Sequence, residues 1–98
     1  MNTLKQEKTA AMRIIDRALA KGYFVSVNDG EVWVVKGSKD RKRIMDALQS
    51  TDSDTVRFRK ADTSVVGSVW FVWGNSPEEV AADYSDNAET RALVEGVA

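Results

Sequence analysis

Residues 23–36 read YFVSVNDGEVWVVK, two β-rich runs on either side of Asp29-Gly30. Asp-Gly is a favoured centre for a tight type I′ hairpin, because both central residues there take positive φ. A two-residue loop at Asp29-Gly30 places Val27 opposite Val32, Val25 opposite Val34, and Tyr23 on the same face with Lys36. That valine face reads as core. The other face carries Phe24, Ser26, Asn28, Glu31, Trp33 and Val35. A paired hairpin with one apolar face must be covered by something, so the rest of the chain is read for what covers it.

A second hairpin lies in VRFRKADTSVVGSVWFVWG, residues 56–74. With Asp62-Thr63 at the turn, Val56 sits opposite Val69, and Phe58, Phe71 and Trp73 join them. Trp70 and Val72 then share the outer face with Arg57 and Arg59. A slip of one residue would exchange the two faces. The first register is preferred because it gathers the apolar residues together.

Helices flank and separate the hairpins. Thr3–Lys21 has a capping-box pair in Thr3 and Gln6 and a stop at Gly22. At about 100° per residue its inner stripe is Leu4, Ala11, Met12, Ile15, Ala18 and Leu19, with Lys8 projecting into it. GSKDRKRIMDALQS is a second helix, with Ser38 as cap, Asp40 in its first turn, and Ile44, Met45, Ala47 and Leu48 inward. NSPEEVAADYSD is ambiguous. Ser76-Pro77-Glu78-Glu79 can start a helix, but Val80, Ala82 and Tyr84 alternate, and a short strand at about 79–84 is preferred. SDNAETRALVEGVA ends the chain as a helix. Asp86 and Glu89 have capping-box spacing there, and Ala88, Ala92 and Leu93 face inward, which predicts weak docking at an edge. The expected order is α-ββ-α-ββ(β)-α. It describes a single α+β domain over residues 1–98, with an antiparallel sheet of four to five strands and helices packed on one face.

Composition narrows the function. The chain has neither cysteine nor histidine. Thiolate nucleophiles, disulfides, the usual neutral-pH general base and the commonest transition-metal ligand are all missing. No P-loop, dinucleotide glycine motif or nucleophile motif occurs, so the chain reads as a non-enzyme with no cofactor. Thr51-Asp52-Ser53-Asp54 has only part of a calcium loop's ligand set and reads as a polar turn. No apolar run is long enough for a membrane span and no signal peptide is evident, which predicts a cytoplasmic protein.

Charge is uneven: residues 1–43 hold ten Lys/Arg against five Asp/Glu, and residues 44–98 hold four against ten. Three functional readings follow. Phe24, Trp33, Arg57, Arg59 and Trp70 have the aromatic and arginine composition of a protein-interface hot spot. Alternatively Arg13, Arg17, Lys21, Lys39, Lys42 and Arg43 form a nucleic-acid-binding basic surface, with Lys36 and Arg41 nearby and the aromatic/Arg sheet face as a stacking platform. In the third reading the tryptophan face is buried in a homodimer. The acidic residues Glu78, Glu79, Asp83, Asp86, Glu89 and Glu95 offer a further contact surface, weaker than a nucleic-acid mimic needs.

SVNDGEVWVVKGSKDRKRIMDAL followed by STDSDTVRFRKAD resembles small uncharacterised accessory proteins encoded by tailed phages and prophages, over roughly residues 23–75. The resemblance implies an accessory or anti-defence factor that binds and inhibits a host protein complex, in the host cytoplasm. It assigns no role to any residue. Of the three readings, the protein-binding module is preferred.

Overall fold

The computed structural model describes residues 3–74, 76 and 79–95. Its elements run α1 (Thr3–Ala20), β1 (Phe24–Asn28), β2 (Trp33–Ser38), α2 (Arg41–Asp46), β3 (Ser53–Arg59), β4 (Val65–Val72), β5 (Ala81–Tyr84) and α3 (Ala88–Val94). The five strands form one antiparallel sheet in the order β2-β1-β3-β4-β5. The α+β architecture expected from the sequence is therefore the one adopted, and residues 81–84 are its fifth strand. The helix start at 76–79 falls partly outside the described residues, as does Glu78.

One continuous core joins the inward strand residues Val25, Val27, Val35, Val56, Phe58, Val69 and Phe71 to Ala11, Ile14, Ile15, Ile44, Leu48 and Leu93 of the helical layer. The helices cover this face and leave the other bare. α1 turns slightly from the expected stripe. Glu7, Ala10 and Ile14 are buried, whereas Leu4 is 47% exposed. Its C-terminus closes at Gly22, φ +80°, where the Gly22 N–H donates to Leu19 O and the Tyr23 N–H to Ala18 O.

The second hairpin has the preferred register. Val56 pairs with Val69, Thr55 with Trp70 and Arg57 with Ser68. The first hairpin differs from expectation. Val27 pairs with Val35 and Asn28 with Trp33, with bulges on the β2 side. The cause is the turn. Asn28 Oδ1 accepts the Gly30 N–H, Asp29 Oδ1 accepts those of Glu31 and Val32, and the Asp29 N–H donates to Val32 O. These Asx bonds hold a four-residue loop open where a two-residue turn was expected. They also lower the Asp29 carboxyl pKa, the Val32 N–H most. Val32 lies in that loop, 57% exposed, and the extra residue at Val34, 40% exposed, turns Val35 into the core at 2%. Lys36 moves to the opposite face from the one expected.

Two helix caps also differ. Asp40, not Ser38, caps α2, its side chain accepting the Arg43 N–H, while Ser38 belongs to β2 and accepts the Asp40 N–H. Asn87, not Asp86, caps α3, accepting the Thr90 N–H at 2.8 Å and donating from Nδ2 to Val66 O. Asp86 pairs with Arg91 instead. Thr90 and Leu93 are the buried residues of α3 and Ala88 and Ala92 are exposed. The helix is not weakly docked: Arg17 Nη1 reaches across from α1 to the Leu93 and Glu95 carbonyls at 3.2 and 2.6 Å.

The β3–β4 turn carries a local strain. Thr63 has φ +72°, a region that disfavours a β-branched residue. The Thr63 N–H donates to Lys60 O and the Lys60 N–H to Ser64 O, so the loop geometry enforces that dihedral. Replacing Thr63→Gly should raise unfolding free energy by roughly 0.5–1 kcal/mol, since glycine takes positive φ freely. Urea denaturation checks it, and an unchanged or lower midpoint would refute the strain.

Candidate functional site

The bare face of the sheet holds the five residues singled out from the sequence. Phe24 pairs with Arg59 and Ser26 with Arg57 across β1 and β3, and Thr55 pairs with Trp70 across β3 and β4. Trp33 reaches the same surface from β2, and the Arg57 guanidinium lies 4.7 Å from its ring centroid. Lys39 Nζ sits 4.7 Å from the Phe24 ring centroid. Each of these two rings is thus covered on one face by a cation, a contact that draws on the ring quadrupole. Trp70 is different: it is 46% exposed, beside Thr55, Ser68, Asp83 and Tyr84 in a shallow depression. The face is therefore electrically graded, with Lys36, Lys39, Arg57 and Arg59 on the β2–β1–β3 side and Asp83 beyond Trp70.

Between Ser26, Trp33, Lys36, Arg57 and Arg59 lies a cleft of about 190 Å³. Lys36 belongs to it because of the β2 bulge at Val34. A second bulge follows at Lys36-Gly37, where Gly37 takes φ +60° and donates its N–H to Ser26 Oγ at 2.8 Å. Arg59 Nη1 donates to Thr63 O, which orients the guanidinium along the turn.

Of the six cations of the nucleic-acid reading, three make contacts within the fold. Arg17 is engaged with the C-terminus of α3 and Lys42 with Asp46 at 2.9 Å. Lys39 lies against Phe24, whereas Arg13 is exposed on α1, Lys21 in the turn after it and Arg43 on α2. A larger groove of about 480 Å³ runs between α1 and α2 over Met12 and Met45. Of the cations on its rim, Arg41 is bound to Asp16 and Lys42 to Asp46.

Two buried carboxyls escaped the sequence reading. Glu7 is fully buried and accepts the Gly74 N–H at 2.9 and 3.2 Å. Asp54 is 1% exposed on the core side of β3, and its Oδ2 accepts the Gln49 N–H and the Trp73 indole N–H. Burial raises the Asp54 pKa against the opposing effect of those two bonds, and Oδ1 has no partner. Both acids stitch the loop ends to the core. Among the described residues no three acids are grouped to hold a metal ion, and no helix is long and apolar enough to cross a membrane. No protein-family model matches the chain, nor does any curated protein or solved structure.

Proposed function

We propose that this chain is a non-catalytic protein-binding module whose contact surface is the bare sheet face. The observation that carries the reading is Trp70, nearly half exposed on a central strand, opposite Thr55 and diagonal to Arg57, on the face that the helices among the described residues do not cover. Tryptophan and arginine dominate interface hot spots because they bring large area and directional polar contacts at little entropic cost. A central strand holds them in place, so the surface is preorganised. The resemblance to phage and prophage accessory proteins supplies a setting: a factor made in an infected cell that binds a host complex and inhibits it in the cytoplasm.

The test is affinity for candidate host complexes by surface plasmon resonance. Trp70→Ala should weaken binding about 30-fold, the equivalent of about 2 kcal/mol at a hot spot. Arg57→Glu should weaken it at least as much. Both variants keep the inward residues intact, so each should remain folded by circular dichroism. Unchanged affinity in both would remove this face from consideration. Sedimentation provides the third arm: a dimer that Trp70→Ala dissociates would assign the face to a second copy of the chain.

A nucleic-acid role draws on the three cations of the cleft. Against it, the Trp33 and Phe24 rings each have a cation on one face, and Asp83 beyond Trp70 repels a continuous phosphate chain. Binding to single-stranded oligonucleotides that weakens steeply with salt would favour that role.

A further inference from the structure

The cleft on the bare face concentrates like charge without an acid to balance it. Lys36, Arg57 and Arg59 line it together with Ser26 and Trp33. The ion pairs Arg41–Asp16, Lys42–Asp46 and Arg91–Asp86 lie away from it. Arg57 and Arg59 are two residues apart on one strand, so they project from the same face about 7 Å apart. The Arg57 guanidinium lies over the Trp33 ring, 4.7 Å from its centroid, and a guanidinium carries a fork of N–H donors suited to a planar acceptor. The Arg59 bond to Thr63 O likewise holds one end of its guanidinium. Two oriented guanidinium groups and a flexible ammonium match the two acceptor oxygens of a carboxylate.

The surroundings indicate what carries that carboxylate. Trp70 opposes Thr55, two residues from Arg57 along β3, so it is a diagonal neighbour of Arg57 at about 7–8 Å between Cα atoms. An acid and an apolar side chain close together on one partner segment would reach both. Asp83, past Trp70, disfavours a polyanion that continues in that direction.

We propose that the Lys36–Arg57–Arg59 cleft is a carboxylate-recognition pocket. It takes a Glu or Asp side chain of an acidic protein segment whose neighbouring apolar residue lies on Trp70. This rests on the protein-binding reading of the face and specifies the chemistry of the partner.

The probe is the capped peptide Ac-Glu-Glu-Leu-Glu-Glu-Leu-NH2, titrated into the 98-residue chain. Arginine Nε–H and tryptophan indole NMR signals are followed. Saturable binding is expected to shift Arg57, Arg59, Trp33 and Trp70 signals together. The Gln-for-Glu peptide should bind at least tenfold more weakly. The Arg57→Gln/Arg59→Gln double variant should lose at least tenfold for the acidic peptide, and Lys5→Gln/Lys8→Gln, on the helical side, should lose less than twofold. Absence of saturation, equal binding of the glutamine peptide, or equal loss in the lysine variant would each overturn the pocket. So would an eight-nucleotide oligothymidylate that binds the cleft more tightly than the peptide, since phosphate would then be the recognised group. Failure here is separable from failure of the face itself. If a host partner's affinity falls with Trp70→Ala but not with Arg57→Gln/Arg59→Gln, the interface stands and the carboxylate pocket does not.

Discussion

Gly67→Val should unfold the chain or lower its stability by more than about 3 kcal/mol, the upper range for overpacking a close-packed site. Gly67 is buried on β4, opposite Phe58. A Cβ there would overlap Thr90 Oγ1 outright and approach Ser85 Cβ to 3.0 Å. Neither neighbour has room to retreat. Thr90 is fully buried in α3, and Asn87 ties the helix start to Val66 O at 2.9 Å. Ser85 exchanges hydrogen bonds with Ser68 at 2.9 Å. The only general relief is for α3 to lift, which breaks the Arg17 bonds and exposes Leu93. Gly67→Ala should cost about 2 kcal/mol, despite the small gain that any Gly→Ala change brings through the unfolded chain. Adding Thr90→Ala should recover part of that loss, because it removes the first obstacle. Guanidinium denaturation of the set measures the coupling. A Gly67→Ala chain within 0.5 kcal/mol of wild type would show that α3 does not rest on β4 as closely as described.

That contact also shows where sequence reasoning stops. Alternation and turn chemistry fix local registers: the pairing of Val56 with Val69 follows from collecting Phe58, Phe71 and Trp73 on one face, and the structure has that pairing. Separating Trp70 from Phe71 follows from the same period of two. What alternation does not encode is the number of residues in a loop when side chains compete to cap it. Asp29-Gly30 carries the signature of a tight turn, but Asn28 and Asp29 each bond backbone N–H groups further along and widen it. A single extra residue beside Val34 then exchanges the faces of Val34 and Val35 and delivers Lys36 to the cleft. Long-range capping is equally invisible locally. Arg17 reads as one of a row of basic residues on α1, yet it closes a helix 75–78 residues away.

The sheet consequently has two different designs on its two faces. Inward, aliphatic and aromatic residues meet three helices and two buried carboxyls fasten the loops. Outward, cations rest on aromatic rings, which lets Arg57 and Lys39 sit close to apolar surface without a counter-charge. Such pairs reduce the apolar ring area that this face exposes. Trp70 is the residue left without that cover.

Asp54→Leu should lower stability by about 2–5 kcal/mol, because the Trp73 indole N–H and the Gln49 N–H both lose their acceptor in a buried place. Asp54→Asn keeps a carbonyl oxygen for those two donors, so its loss at pH 7 should stay below about 1 kcal/mol. The two substitutions separate the hydrogen bonds from the charge. The charge has its own signature in pH. Burial raises the folded-state pKa of Asp54 above its ordinary 3.8, so the native state holds this proton more tightly than the unfolded chain. The stability associated with that proton is fully present below pH 3.8. It is lost as pH rises through the folded-state pKa, and above that value the profile from this group is flat. The Asp54→Asn variant has no such proton. Its stability relative to wild type should therefore fall as pH is lowered from 7 toward 3.8, and the fall should be confined to the interval between the two pKa values. Urea unfolding of both proteins across that range reads the difference directly. A constant difference would mean that Asp54 titrates alike in the folded and unfolded chains. The unpartnered Oδ1 would then have to be in contact with water.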